Sequence, residues 1–135
     1  MRTIFDTNVV VSASVWRGAP FECLAAWAQG RCEAIASPPL LAEYHETTEE
    51  RRLDYLDRPF VNWAEALTSA ATLVFPDERI ATPTRDLDDE MVLECALASE
   101  ADFIVSGDKS HLLPLKEFSG ISIFNPIEFL RRLAA

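Results

Sequence analysis

The sequence predicts an α/β fold in which a central parallel sheet of four or five strands lies between two layers of helices. The chain of 135 residues has the length of one ordinary domain. Its hydrophobic share of 49% and charged share of 25% are typical of a globular protein. Short apolar strand candidates alternate with helical patterns, which indicates a parallel sheet covered on both faces. We therefore expect a single domain over residues 1–135.

The first strand candidate covers residues 2–5 and runs directly into Asp6-Thr7-Asn8, whose residue types favour turns and helix caps. A first helix is predicted to begin there. A second helix is predicted from Pro20, which suits a first helical turn, to Gly30, which ends it. Residues 32–36 form the second strand candidate.

The third predicted helix begins at Ser37, which is a suitable N-cap before Pro38 and Pro39. The charged residues 46–58 are interpreted as its solvated continuation or as an exposed turn. Residues 60–71 are predicted to form the next helix, and residues 73–75 a third strand.

The polar, proline-bearing residues 76–85 indicate a loop. A helix is then predicted from Asp86 to about Ser99, because acids in a first turn interact favourably with the helix dipole. The remaining elements are a strand at 102–106 that ends in Gly107-Asp108, a helical turn at 112–115, a strand at 121–124 and a helix from Pro126 onwards.

Four acids are predicted to converge at one edge of this sheet. Asp6 and Asp108 follow two apolar strands, and parallel sheets place ligand sites beyond the carboxyl ends of their strands. If those strands are neighbours, both carboxylates project into one crevice. Glu43 and Asp89 lie in early turns of helices that start on the same side of the sheet, so they are candidates to join the site.

Such a group of carboxylates suits a divalent metal ion, because like charges repel unless a cation neutralises them. Oxygen ligands alone favour Mg²⁺ or Mn²⁺. A metal held there can polarise a phosphate and activate water, which is the chemistry of metal nucleases. The sequence has no Gly-x-Ser-x-Gly elbow and no phosphate-binding glycine loop, and Gly accounts for only 4 residues.

The chain resembles PIN-domain proteins of the kind that act as toxins in VapBC-like toxin–antitoxin systems. The resemblance covers nearly the whole chain, and its five motifs occur in order. They are Ile4 to Val9, Ser37 to Leu41 leading to Glu43, Arg85 to Asp89 with Leu93 and Ala96, Ala101 to Asp108, and Ile121 to Phe129.

The resemblance implies a PIN-like fold and a metal-dependent endoribonuclease that hydrolyses RNA. It places Asp6, Glu43, Asp89 and Asp108 at the catalytic and metal-binding positions, and Asn8 and Ser106 at supporting positions that orient the acids. It also implies Mg²⁺ or Mn²⁺ as cofactor, a homodimer and a cognate antitoxin. Two departures are a serine at 106 where threonine is more usual and a slightly long loop at 109–111. Asp86 and Asp88 are further acids beside Asp89.

The net charge of −10 is unusual for a free-standing nucleic-acid binder. It is consistent with solubility, with acid concentrated in a metal site, or with a basic partner that covers an acidic face. No targeting segment or membrane-length apolar run is evident, so we expect a cytoplasmic protein.

Other residues are given more ordinary interpretations. The three scattered cysteines are expected to be core thiols, and the two histidines too isolated for a zinc site. Trp27 and Trp63 are expected in the core or at a dimer interface, while Trp16 is a candidate for base stacking. Arg17, Arg85 and Lys109 are candidates for phosphate contacts or are simply solvated.

Three alternatives remain open at this level. Haloacid dehalogenase-like phosphatases need a second Asp where Asn8 stands, and receiver domains need a lysine on a separate late strand. The third alternative is a non-catalytic PIN-fold module that binds protein or nucleic acid. A gap in the acid set would favour that module, but all four positions are filled.

Overall fold

The computed structural model describes residues 1–77 and 87–135. In order along these residues lie β1 (Arg2–Phe5), α1 (Thr7–Val15), α2 (Ala19–Ala28), β2 (Glu33–Ala36), α3 (Pro38–Arg52), a 3-10 helix (Leu53–Tyr55), α4 (Trp63–Ala70), β3 (Thr72–Leu73), α5 (Leu87–Ser99), β4 (Phe103–Val105), a second 3-10 helix (Leu113–Leu115), β5 (Glu117–Phe118), β6 (Ile121–Phe124) and α6 (Pro126–Ala134). The predicted α/β class is confirmed.

The sheet contains six strands in the described residues, in the order β3-β2-β1-β4-β6-β5. All neighbouring pairs are parallel except β5 with β6. The five parallel strands agree with the predicted parallel sheet of four or five strands, and the sixth strand is the antiparallel β5, which consists of only Glu117 and Phe118. Four of the parallel strands lie where the apolar patterns predicted them, whereas β3 covers Thr72–Leu73 instead of residues 73–75.

The strands β1 and β4 are direct neighbours, with Phe5 opposite Val105 in the register. Successive strands run from β1 through β2 to β3 on one side, whereas β4 and β6 lie on the other side. The order of the strands therefore reverses between β1 and β4, and an open parallel sheet has its ligand crevice at such a point.

The helices start where the sequence provides capping groups. Asp6 caps α1, Ser37 caps α3 through the Leu40 N–H, and Asn125 forms a capping box with Glu128 at α6. The charged segment after Tyr44 continues α3 as far as Arg52, and the 3-10 helix follows. These caps determine where each helix begins relative to the end of the preceding strand.

The core is formed by the strands and by the inward faces of the helices packed on them. The helix α1 packs against α2, α3 and α4, while α5 packs on β1, β2 and α3. The side chains of Ile4, Phe5, Ile104 and Phe129 are almost fully buried there. Among the described residues, no helix is long and apolar enough to cross a membrane.

Candidate metal centre

A cleft at the carboxyl ends of β1 and β4 contains the acids that the sequence predicted would meet. Its lining includes hydroxyl, amide and imidazole groups as well as carboxylates. The lining residues are Asp6, Thr7, Asn8, Glu43, Thr47, Asp89, Asp108, Ser110 and His111. The structure therefore gathers all four predicted acids and Asn8 from separate parts of the chain.

Asp6 is held at the junction between β1 and α1. Its backbone N–H donates to the Val105 carbonyl at 2.9 Å, which extends the pairing of β1 with β4. Its Oδ1 accepts the Thr7 N–H at 2.8 Å, so the same carboxylate caps α1. Only 3% of Asp6 is exposed. A carboxylate fixed by both neighbouring elements is well oriented for binding a ligand in the cleft.

Ser106 connects the two strand-end acids. The hydroxyl of this fully buried residue donates to Asp6 Oδ2 at 2.7 Å and accepts the Asp108 backbone N–H at 2.9 Å. The predicted contact between Ser106 and an acid is therefore present. Asn8 lines the cleft beside these residues, and its orienting role stays a prediction.

Asp108 is fixed by the turn that follows it. Its Oδ1 accepts the backbone N–H of Ser110 at 3.0 Å and that of His111 at 3.1 Å, while Oδ2 accepts Leu112 N–H at 3.4 Å. Desolvation raises the pKa of Asp108, but these hydrogen bonds and one with the Asp89 side chain outweigh it and lower the pKa below the ordinary value. The carboxylate form therefore stabilises the fold at neutral pH, and this contribution is lost as the pH falls through the lowered pKa.

Glu43 enters the cleft from the second turn of α3. Its Oε1 accepts the Thr47 hydroxyl at 2.9 Å, one helical turn further along. The neighbouring Tyr44 points into the core and donates its hydroxyl to the Phe5 carbonyl. Because Phe5 immediately precedes Asp6, this hydrogen bond ties the helix that carries Glu43 to the strand end that carries Asp6.

Asp89 enters from the first turn of α5 and is 4% exposed. The sequence left open whether Asp86, Asp88 or Asp89 faces the metal. The structure places Asp89 in the cleft. Asp86, the Asp88 side chain and the candidate phosphate-binding Arg85 lie outside the described residues, as does most of the predicted loop at 76–85.

His111 is a further cleft residue, although both histidines were expected to be isolated. That expectation is wrong for His111, because its Nδ1 lies 3.5 Å from Asp108 Oδ2 and 3.6 Å from Asp89 Oδ2. One ligand atom from each of these three residues lies within 4.8 Å of the others. The spacing of three residues from Asp108, inside a turn that Asp108 itself caps, was the available signal.

Two other candidate contact residues, Trp16 and Arg17, lie away from the cleft, whereas Lys109 lies next to it. Trp16 and Arg17 follow the C-terminal end of α1, whereas Asp6 precedes its N-terminal end. The nine residues of α1 place these two ends about 13 Å apart. The Arg17 guanidinium lies 4.5 Å from the Phe21 ring centre, and Arg58 lies 3.9 Å from that of Trp16. Lys109 is exposed beside Asp108.

The expected core residues are where the sequence placed them. Trp63 is buried and Trp27 packs partly buried against the core. The three cysteines are free and buried, which confirms the expectation of core thiols. Burial raises the pKa of Cys23 and Cys95 to about 12 and also raises that of Cys32. None of these thiols is thus a thiolate nucleophile at neutral pH.

Comparison with known proteins decides the family. The family model described as PIN domain matches residues 2–110, which include every cleft residue except His111. The chain belongs to the PIN domain family. PIN domains are typically metal-dependent nucleases, so the family indicates a nuclease-type function. No curated protein and no solved structure matches the chain.

The cleft of this PIN domain has donor groups that fit a divalent metal. Carboxylates from Asp6, Glu43, Asp89 and Asp108 supply hard oxygen ligands, and the family uses divalent metals. The cleft volume of about 220 Å³ corresponds to roughly seven waters in the liquid. That volume has room for a hydrated divalent ion.

Proposed function

We propose that the protein is a metal-dependent endoribonuclease that hydrolyses RNA phosphodiester bonds. The observation that carries this proposal is the convergence of Asp6, Glu43, Asp89 and Asp108 on one cleft of a PIN domain. RNA is chosen as substrate because the chain resembles the toxin group of that family. In the described residues the cysteines are buried and so do not offer a nucleophile, and no glycine loop that could bind phosphate is present.

The proposed roles follow from the position of each side chain. Asp6, Asp89 and Asp108 would hold Mg²⁺ or Mn²⁺, and Ser106 orients Asp6 and Asp108 through its hydroxyl. A divalent ion bound there would polarise a phosphate oxygen and lower the pKa of a water molecule. Glu43, oriented by Thr47, would bind a second ion or the attacking water and would accept a proton from that water. Asn8 lies at the rim of the cleft, where it contacts the substrate or a carboxylate.

The biological role proposed for this activity is that of a toxin held inactive by a cognate antitoxin. The net charge of −10 supports a basic partner, since a basic segment would complement the acidic chain. We further propose that the protein acts in the cytoplasm as a homodimer. A small DNA-binding protein encoded by an adjoining reading frame, and its binding to the purified chain, would support the toxin role.

Cleavage of single-stranded RNA tests the enzymatic proposal. We expect the full chain to cut RNA, but to cut DNA of the same sequence more slowly, in buffer containing Mg²⁺ or Mn²⁺, and EDTA should abolish cleavage. Asp6→Asn should lower the rate by more than about 100-fold, because changing even a partner of a metal ligand costs about 10- to 100-fold. Glu43→Gln should be similarly impaired.

Glu46→Gln is the matched control, because Glu46 is an exposed acid on the same helix as Glu43 and does not line the cleft. Its rate should equal that of the unmodified protein. If a pooled RNA library is not cut and calorimetry detects no metal binding, the proposal is wrong. Metal binding without cleavage would instead favour the non-catalytic PIN module.

A further inference from the structure

His111 is not one of the four acids of the cleft, but its imidazole lies beside two of the proposed metal ligands. Its Nδ1 is 3.5 Å from Asp108 Oδ2 and 3.6 Å from Asp89 Oδ2. The side chain of Asp89 is 6% exposed and that of Asp108 15%, whereas that of His111 is 44% exposed. The imidazole therefore sits where two recessed carboxylates face solvent.

The position of His111 is coupled to Asp108 through the backbone. The N–H groups of Ser110, His111 and Leu112 all donate to the Asp108 carboxylate. Leu112 is fully buried, so the turn is anchored on its far side by the core. The segment that carries the imidazole thus has little freedom to move away from the carboxylate.

The distances are short enough for the three groups to become ligands of one ion. A hydrogen bond from a ring nitrogen to a carboxylate is about 2.7 to 3.2 Å long, which is shorter than either contact. Neighbouring ligands of an octahedral ion, each bonded at about 2.1 Å, lie about 3.0 Å from each other. Both contacts of His111 Nδ1 exceed that separation by only about 0.5 Å, and the three ligand atoms all lie within 4.8 Å of one another.

We propose that Nδ1 of His111 is a nitrogen ligand of the metal that Asp89 and Asp108 hold, and that it makes the site select Mn²⁺ over Mg²⁺. This inference rests on the proposed function for the identity of the site. Imidazole binds first-row transition ions well, whereas Mg²⁺ prefers oxygen ligands and water. A nitrogen ligand among the carboxylates should therefore increase the preference of the site for Mn²⁺ over Mg²⁺.

Titration calorimetry with Mn²⁺ and with Mg²⁺, each as the chloride salt, tests the selectivity. We expect the full chain to bind Mn²⁺ at least about tenfold more tightly than Mg²⁺. His111→Ala should weaken Mn²⁺ binding about tenfold and change Mg²⁺ binding by less than about threefold, since loss of a single partner in a metal site costs about 10- to 100-fold. The control is His45→Ala, because His45 lies outside the cleft and contacts Thr68 on the protein surface.

Pulsed electron paramagnetic resonance of the Mn²⁺-bound protein gives a second readout that needs no activity. We expect a ¹⁴N coupling of a directly bound imidazole in the unmodified protein and in His45→Ala, and its loss in His111→Ala. Circular dichroism should show that all three proteins are folded.

The outcomes separate this inference from the proposed function. If the protein binds Mn²⁺ but shows no ¹⁴N coupling, or if His111→Ala binds both ions unchanged, His111 is not a ligand and the carboxylate site stands. If His111→Ala binds either ion more tightly, the imidazole competes with the metal for the carboxylates, and the inference is also wrong. If neither ion binds, the proposed function fails with it.

Discussion

Single side chains at this site have both a structural and a proposed chemical role. Asp6 caps α1 and accepts the Ser106 hydroxyl, and Asp108 caps the turn that carries His111. An acid that caps a helix and an acid that binds a ligand both occur where a strand ends and a helix begins, so the sequence alone does not distinguish the two roles. The strand-end positions of Asp6 and Asp108 were therefore predictable, but the contacts that hold them were not.

Removal of the Ser106 hydroxyl should disturb both strand-end acids, Asp6 and Asp108. Ser106→Ala should lower the free energy of unfolding by about 1 to 3 kcal/mol, because the buried hydroxyl is a partner of both Asp6 Oδ2 and the Asp108 N–H. It should also weaken Mn²⁺ binding. Urea unfolding and calorimetry measure the two effects.

Ser106→Thr provides the control, because threonine keeps the hydroxyl. It should bind Mn²⁺ as the unmodified protein does. If Ser106→Ala leaves both the stability and the metal affinity unchanged, the hydrogen bonds of the Ser106 hydroxyl contribute to neither.

The helices and strands follow from local signals wherever those signals are strong. Ser37 with two prolines located the start of α3, and Asn125 with Glu128 defines that of α6. The strand β5 was missed because two residues carry no alternating pattern. Its turn does carry a sequence signal, because Ser119-Gly120 is a dipeptide typical of turns. In the structure these two residues have φ of 50° and 82°, as a two-residue hairpin with both φ values positive requires.

Elements are brought together by contacts that no local pattern reveals. The Tyr44 hydroxyl connects α3 to the end of β1, 39 residues away in sequence. No local pattern in the sequence distinguishes Tyr44 from the other apolar residues of α3. The distance in space between Glu43 and Asp6 depends on this contact, which is why Glu43 was a less secure candidate than the two strand-end acids.

Tyr44→Phe tests this connection between elements. Phenylalanine keeps the buried ring but removes the hydroxyl that donates to the Phe5 carbonyl. We expect the free energy of unfolding to fall by about 1 kcal/mol, as for loss of one buried hydrogen bond. Chemical denaturation monitored by fluorescence measures the change. A variant as stable as the unmodified protein would show that packing of the ring alone positions α3.

Across the whole molecule, the order of the strands explains where the site lies. The sheet order reverses between β1 and β4, and the cleft opens at their carboxyl ends. The alternation of strands and helices predicted a site at the carboxyl ends of the strands, but only the structure shows that β1 and β4 are neighbours. The spacing of His111 from Asp108 was a local signal, but the approach of His111 to Asp89 joins residues from two elements and could not be predicted. The side chains of Asp86 and Asp88 lie outside the described residues.

The central claim is that the cleft between Asp6, Glu43, Asp89 and Asp108 holds a divalent metal. Crystals of the full chain soaked in Mn²⁺ test it directly, because anomalous scattering at the manganese absorption edge locates the ion. We expect a peak about 2.1 Å from carboxylate oxygens of at least two of Asp6, Asp89 and Asp108, and no such peak in crystals of Asp108→Asn. An anomalous map with no peak in the cleft of the unmodified protein, or with peaks only on the outer surface, would contradict the account.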